Sequence, residues 1–386
     1  MTLPLENVSE ETDQGFMREA LDLAALGEGF VEPNPMVGCV LVRDGLLIGR
    51  GYHRSFGGPH AEVEALRSLA DGDTARGATA YVTLEPCCHY GKTPPCSRAL
   101  IDAGVRRVVV AMRDPFPSVD GGGLRELQEA GIETTVGVLC HEAESLNAPY
   151  RKRLDSGRPW VIAKWAMTLD GRIATAGGQS QWITGADSRA EVHRLRGRVD
   201  AVAVGMGTVD GDDPSLTARS EEPGFRPPRV ATRAVFCRHR VPEANSKLVQ
   251  SAGETPLTLV VGPEVTSKQR AAMRLAGASL IETETADPKQ MVADALEVWG
   301  QDGMTNLMVE GGAELLASFF AAGEVDECHV YIGAKVFGGQ SAMGPIGGSG
   351  VRNMADAWAF ELTSLQQFGV DIRAVYRMPT RRDISR

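Results

Sequence analysis

Apolar positions in the first 140 residues alternate between two rhythms. Met36 to Val42 (MVGCVLV) is an almost unbroken apolar run. Asp44-Gly45 follows, a pair suited to a tight turn, and Leu46 to Ile48 returns, so the segment predicts a hairpin. His60 to Leu69 instead places Ala61, Val63, Ala65, Leu66 and Leu69 at helical spacing. Ala78 to Leu84 and Val105 to Met112 read as further strands, Gly122 to Gly131 as a helix, and Ile132 to Val138 as a strand. Strands interleaved with helices predict a layered α/β unit.

The stretch His141 to Pro159 breaks that rhythm. It is polar, contains PYRKRLDSGRP and has no long apolar run, which puts a domain boundary near residue 150 and divides the chain into 1–150 and 151–386. A second α/β pattern follows. Its strand candidates are Trp160–Met167, Ala201–Gly205, Leu257–Val261, Leu307–Glu310 and Glu327–Ile332. Its helix candidates are Ser188–Gly197, Ser267–Ala276, Pro288–Trp299 and Gly312–Ala322. Thr217 to Lys247, rich in Arg and Pro, yields no assignment.

Composition narrows the class. The 386 residues carry a net charge of -10 and are 43% hydrophobic, which excludes a fibre or a largely disordered chain and argues against a general polyanion binder. No apolar run reaches the roughly 18 residues a membrane helix needs. The N-terminal MTLPLENVSEETDQG lacks the basic and apolar regions of a secretory signal. Seven scattered cysteines read as reduced cytoplasmic thiols rather than a disulfide framework.

Chemistry concentrates in His60-Ala61-Glu62, Pro86-Cys87 and Cys96. One imidazole and two thiolates suit a tetrahedral zinc whose fourth position is left for water. A carboxylate two residues after the His can take a proton from that water and pass it to a leaving amine. This is the H-x-E…P-C pattern of zinc deaminases, with a longer spacing between the cysteines than P-C-x-x-C. Cys88 and His89 compete as ligands from the same loop, and a closed four-ligand structural zinc is the alternative.

The second half has no G-x-G-x-x-G after its first strand. Gly205-Met206-Gly207-Thr208 follows one strand, and Glu310-Gly311-Gly312 joins another to a helix, where backbone N–H groups can meet a phosphate. In SRAEVHRLRGR, Arg189, His193 and Arg196 share a helical face that could grip a phosphate or be merely solvated. Asp212-Asp213-Pro214 and Arg219 lie just beyond a strand end, where layered α/β enzymes place their sites.

NPMVGCVLV, GPHAEVEAL and LEPCCHYGKTPPC resemble the deaminase half of the bifunctional riboflavin-biosynthesis deaminase/reductases. KWAMTLDGRIA, SQWITG, VHRLRGRVDAVAVGMGTVDGDDPSLTAR and VEGGAELLASFF resemble the reductase half, so the likeness runs over roughly residues 15–375. The resemblance implies a cytidine-deaminase-like α/β/α layer domain followed by a dihydrofolate-reductase-like α/β domain. It implies zinc on His60, Cys87 and Cys96, Glu62 as proton shuttle, and substrate on Asn34, His89, Lys92 and Thr93. In the second half it puts NADPH on Met167, Trp182, Thr208, Asp212 and the run Gly312, Ala313, Glu314, Leu315, Leu316, Ala317 and Ser318. There it puts the phosphoribosyl substrate on Lys164, Ser180, Arg196, Leu216, Arg219 and Glu310, with Asp212 as a catalytic group.

The implied reactions are zinc-dependent hydrolytic deamination of 2,5-diamino-6-(5-phosphoribosylamino)pyrimidin-4-one, then NADPH reduction of the ribosyl group to ribityl. A cytoplasmic homo-oligomer acting on a small molecule, with neither nucleic acid nor membrane as partner, is expected. The chain departs from the family pattern chiefly over Arg229–Leu248, where VATRAVFCRHRVP replaces a strand ending in an Asp-Ser-like pair. A deaminase with an inactive reductase-like domain is therefore the alternative. A nucleic-acid deaminase and a zinc-stapled binding module are the readings outside this class.

Overall fold

The computed structural model describes residues 6–90, 94–117, 119, 121–220 and 226–379. The chain divides into two compact units, Met1–Ser156 and Gly157–Arg386.

Unit 1 begins with helix α1 (Glu6–Ala25), the hairpin β1 (Gly38–Arg43) and β2 (Leu46–Tyr52), then α2 (Ala61–Arg67) and β3 (Thr79–Leu84). It continues through α3 (Cys96–Asp102), β4 (Arg107–Met112), α4 (Gly122–Glu129), β5 (Glu133–Val136), α5 (Cys140–Leu146) and α6 (Ala148–Ser156). The sheet order is β2-β1-β3-β4-β5. β1 runs antiparallel to both neighbours, and β3, β4 and β5 are parallel.

Strand side chains alternate between faces, and the core divides accordingly. Cys39, Leu41, Ala80, Val82, Val108 and Val110 pack on Ala61, Ala65, Leu100 and Leu127 of α2, α3 and α4. Val40, Val42, Tyr81, Val109 and Ala111 pack on Met17, Ala20 and Leu21 of α1 and on Ala143 of α5. A sheet between two helical layers is the α/β/α architecture expected.

Unit 2 is built on a nine-stranded sheet. In chain order it has β6 (Trp160–Thr168), α7 (Ala186–Arg196), β7 (Ala201–Gly205), α8 (Met206–Asp212), β8 (Thr232–Cys237), α9 (Lys247–Gln250), β9 (Leu257–Val261) and α10 (Ser267–Leu275). There follow β10 (Ser279–Glu282), α11 (Pro288–Gln301), β11 (Asn306–Glu310), α12 (Ala313–Ala321), β12 (Glu327–Gly333), β13 (Glu361–Phe368) and β14 (Asp371–Arg377). The order is β10-β9-β8-β7-β11-β6-β12-β14-β13, parallel from β10 to β12 and closed by an antiparallel pair. Trp299, Phe319 and Phe236 anchor the core between this sheet and helices α11 and α12.

Two expectations need correction. Thr217–Lys247, left without an element, contains β8, a central parallel strand paired with β7 and β9. His141–Pro159, read as a polar break, folds as α5 and α6. Their apolar residues are few but placed inward: Ala143 and Tyr150 are buried.

Candidate functional site

In unit 1 three short connections converge. His60 is the N-cap of α2 and Glu62 lies in that helix's first turn. Cys87 follows β3, and Cys96 is the first residue of α3. The ligand atoms of His60, Cys87 and Cys96 all lie within 4.8 Å of one another. His60 Nδ1 is 3.2 Å from Cys96 Sγ and 3.6 Å from Cys87 Sγ, and the Cys96 backbone N–H donates to Cys87 Sγ at 3.4 Å. Helix starts stabilise thiolates through free backbone N–H groups. Hydrogen bonding from Cys96 and His60 pulls the Cys87 thiol down to about 4, and the same bond pushes Cys96 up. One thiolate, a second thiol and an imidazole in this arrangement fit a tetrahedral zinc with one open position.

The competing ligands lie apart. Among the described residues the ligand group includes neither Cys88 nor His89. Cys88 Sγ packs against the start of α4, where a Cβ on Gly122 would come within 2.5 Å of it.

Beside the ligands is a cavity of about 290 Å³ lined by Asn34, His53, Glu62, Glu85, His89 and Asp114, among others. Glu62 is buried, and burial raises its carboxyl pKa, so a proton is held there more readily than on an exposed Glu. Asn34 Nδ2 is 3.4 Å from His53 Nε2, whose Nδ1 meets the Pro59 carbonyl at 3.0 Å. That carbonyl can only accept, which leaves Nε2 to accept from Asn34. Burial lowers the His53 pKa and keeps the ring neutral. Tyr150 Oη donates to Asp114 at 3.0 Å, and burial raises Asp114. His53, Asp114 and Tyr150 were missed in the sequence because they lie outside the local motifs and meet only through the fold. Lys92 and Thr93 lie outside the described residues.

Unit 2 holds a larger cavity, about 1710 Å³, at the C-terminal ends of β6, β7, β8 and β11. Lys164, Ser180, Trp182, Arg196, Thr208, Asp212, Leu216, Arg219 and Glu310 all line it, as do Gly312 to Leu316 and Ser318. Met167 and Ala317 are not among its lining residues. Met167 packs against the core cluster, because it shares the β6 face of Val161, Ala163 and Trp165 and points away from the face that carries Lys164.

Glu310, at the end of β11, accepts from Arg196 Nε at 2.5 Å and Nη2 at 2.8 Å, and Lys164 Nζ lies 3.7 Å away. Burial opposes its charge, yet Arg196 and Lys164 hold Glu310 down to about 2. The expectation that Arg196 grips a phosphate needs revision, since its fork is occupied by Glu310. Arg189 stacks over Trp182 at 4.6 Å, and Arg219 is exposed at the rim, so on this side of the cavity these two present positive charge to it. His193, expected as a third cation on this face, is pushed down to about 4 by burial, with Arg196 and Arg219 adding to the shift. Asp212 accepts from Ser180 Oγ at 3.2 Å and Gln181 Nε2 at 3.3 Å.

A dinucleotide fits this cavity by a backbone criterion. Gly311 and Gly312 both adopt φ +76° ahead of α12, and a Cβ on Gly312 would come within 3.3 Å of Thr208 Oγ1. Side chains are strained there, and the resulting bare turn leaves the α12 backbone N–H groups approachable by phosphate.

Comparison with known proteins covers the chain in two parts. Residues 10–112 match the cytidine and deoxycytidylate deaminase zinc-binding region, and residues 159–374 match the RibD C-terminal domain. The riboflavin biosynthesis protein RibD of Haemophilus influenzae is 42% identical over 94% of this chain and 96% of its own length. That of Escherichia coli is 40% identical, with 93% and 98% covered. Among solved structures, Acinetobacter baumannii RibD superposes with TM-score 0.82 at 36% identity, covering 96% of this chain and 100% of that one. A Thermotoga maritima diaminohydroxyphosphoribosylaminopyrimidine deaminase/5-amino-6-(5-phosphoribosylamino)uracil reductase gives 0.82 at 31% identity with the same coverage.

Proposed function

The chain belongs to the RibD family of riboflavin-biosynthesis proteins, and from that premise we propose that unit 1 deaminates a diaminopyrimidine ribosyl phosphate and unit 2 reduces its ribosyl group. The observation that carries the reading is the convergence of His60, Cys87 and Cys96 at the mouth of a cavity that also holds the buried Glu62.

In the first reaction an exocyclic C–NH2 bond is replaced by C=O, water is consumed and ammonia leaves. A zinc ion held by His60, Cys87 and Cys96 supplies Lewis acidity that activates the water. Glu62 takes the water proton and returns it toward the leaving amine. Its burial suits both roles, because a raised pKa brings the carboxyl closer to the working pH. Asn34, fixed against neutral His53, and the acidic side chain of Asp114 present hydrogen-bonding groups to the ring. His89, Lys92 and Thr93 complete the proposed substrate contacts.

In the second reaction the ring-opened ribosylamine is an imine, whose carbon gains a hydride and whose nitrogen gains a proton, two electrons and two hydrogens across the C=N bond. A bound NADPH supplies the reducing equivalent. Arg219 and Arg189 hold the substrate phosphate, which fixes the sugar against the cofactor. Lys164, Arg196 and Glu310 form a polar wall of the cavity, and Ser180, Leu216 and Asp212 line it as well. Asp212 places a carboxylate where positive charge develops on the imine nitrogen. Thr208 and residues 312–318 with Trp182 hold the dinucleotide, and Met167 supports that wall from the core. We place the enzyme in the cytoplasm as a homo-oligomer. No helix among the described residues is long and apolar enough to cross a membrane.

The test is mass spectrometry of the diaminopyrimidine ribosyl phosphate incubated with zinc-loaded protein, with and without NADPH. Exchange of amine for oxygen is expected in both tubes, and a further gain of two hydrogens only with NADPH. Exchange without reduction would restrict the function to deamination. Separately, Cys96→Ser is expected to lower bound zinc well below one equivalent, read by elemental analysis, and to abolish deamination while reduction of the deaminated substrate persists. Full zinc retention would remove Cys96 from the ligand set.

A further inference from the structure

The segment after β8 places charge in the reductase cavity. Arg238, His239 and Arg240 line that cavity together with Met206, Phe236, Pro288 and Met291. Three basic side chains of this region are already engaged. Arg240 pairs with Asp210 of α8, His239 Nδ1 lies 2.7 Å from Glu264 Oε2, and Lys247 Nζ lies 3.5 Å from Asp213 Oδ2. Arg238 has no ion pair or side-chain hydrogen bond among the described residues. The nearby carboxylates Asp210, Asp213 and Glu264 each have a basic partner already, so Arg238 is surplus positive charge facing an open cavity.

Its place in the sheet gives that charge a purpose. The order β8-β7-β11-β6 puts β8 three strands from β6, which carries Lys164. At about 4.8 Å per strand this is about 14 Å, a span that one extended dinucleotide bridges. The glycine-bearing turns after β7 and β11 lie between, where the pyrophosphate would rest. A nicotinamide beside Lys164 and Glu310 therefore puts the adenylate half over β8. Met206, Phe236, Pro288 and Met291 give an apolar wall for a purine, and Arg238 stands at the adjoining edge. Arginine binds phosphate bidentately through its planar fork, and an arginine near the adenosine ribose is the usual means of accepting a 2′-phosphate.

We propose that Arg238 selects NADPH over NADH by binding the 2′-phosphate of the adenosine ribose. The inference rests on the reductase reading of unit 2. Direct binding tests it, with energy transfer from tryptophan to the reduced nicotinamide as the readout, since Trp165 and Trp182 line the same cavity. Dissociation constants for NADPH and NADH are measured on the wild type, Arg238→Ala and Arg238→Lys, with adenosine 2′,5′-bisphosphate as competitor. Arg238→Ala is expected to weaken NADPH and the bisphosphate by about 10- to 100-fold and to leave NADH within about twofold. Arg238→Lys is expected to restore part of the loss, keeping the charge without the fork. Equal weakening of NADPH and NADH, or no weakening of either, overturns the assignment. Failure of the wild type to bind either dinucleotide sinks the reductase reading itself, a result distinct from both.

Discussion

Glu62→Gln is expected to slow deamination by about 10²- to 10⁴-fold while zinc content and reduction of the deaminated substrate stay at wild-type levels. The substitution keeps volume and a hydrogen-bonding side chain but removes the site that can take up a proton. Glu62 is buried in the first turn of α2, two residues from His60, and lines the cavity beside the ligand group. Rates are measured by ammonia release, zinc by elemental analysis, and reduction by nicotinamide absorbance with the deaminated substrate. A variant that retains deamination within a few-fold of wild type would show that the proton travels by another group, with Glu85 and Asp114 as the other carboxylates in the cavity. A variant that loses zinc as well would leave the shuttle role unsupported, since metal loss alone would explain the inactivity.

The zinc site was readable because each ligand sits inside a short motif tied to an element boundary. His60 and Glu62 open a helix, Cys87 ends a strand connection, and Cys96 opens another helix. Such features survive in a one-dimensional pattern. What could not be read depends on contacts between distant segments. Arg196 and Glu310 are 114 residues apart, and nothing local marks them as partners, so Arg196 looked like a free phosphate grip. Strand β8 was overlooked for a related reason. Arg233 lies inside it and is fully buried, yet its guanidinium donates to Ser251 Oγ at 2.6 Å and to the carbonyls of Ser251 and Thr255. A charged residue among Arg- and Pro-rich neighbours reads as loop until those acceptors are known. Strand β13 pairs only with β14 and is exposed along most of its length, so burial imposed little apolar pattern on it. Helix α1 begins with a strongly polar stretch, ENVSEETDQ, in which buried Asp13 accepts from Tyr81 and Arg107, and its apolar packing residues Met17, Ala20, Leu21 and Ala24 follow in its second half.

The buried charge cluster of unit 2 gives the second large effect. Glu310→Gln is expected to destabilise this unit by about 3–5 kcal/mol, the usual result of removing one partner of a buried ion pair. The amide preserves shape but leaves Arg196 and Lys164 as like charges with no carboxylate between them. Lys164, whose pKa burial already lowers against the pull of Glu310, would lose its proton more readily and relieve part of the strain. Urea unfolding followed by tryptophan fluorescence reads unit 2 alone, because all five tryptophans lie between Trp160 and Trp358. Acid gives the sign independently. The folded pKa of Glu310, about 2, lies below its ordinary 4.5, so its carboxylate adds stability above about pH 4.5 that is lost as pH falls through about 2. Wild-type stability should therefore fall more steeply across that window than the stability of Glu310→Gln. Pairing Glu310→Met with Arg196→Met is expected to recover much of the single-variant loss, because it removes one of the two uncompensated charges and leaves only Lys164, which can shed its proton. A single variant as stable as wild type at pH 7, or a double variant no better than the single, would mean that the cluster does not hold the β6–β11 floor of the cavity through its charges.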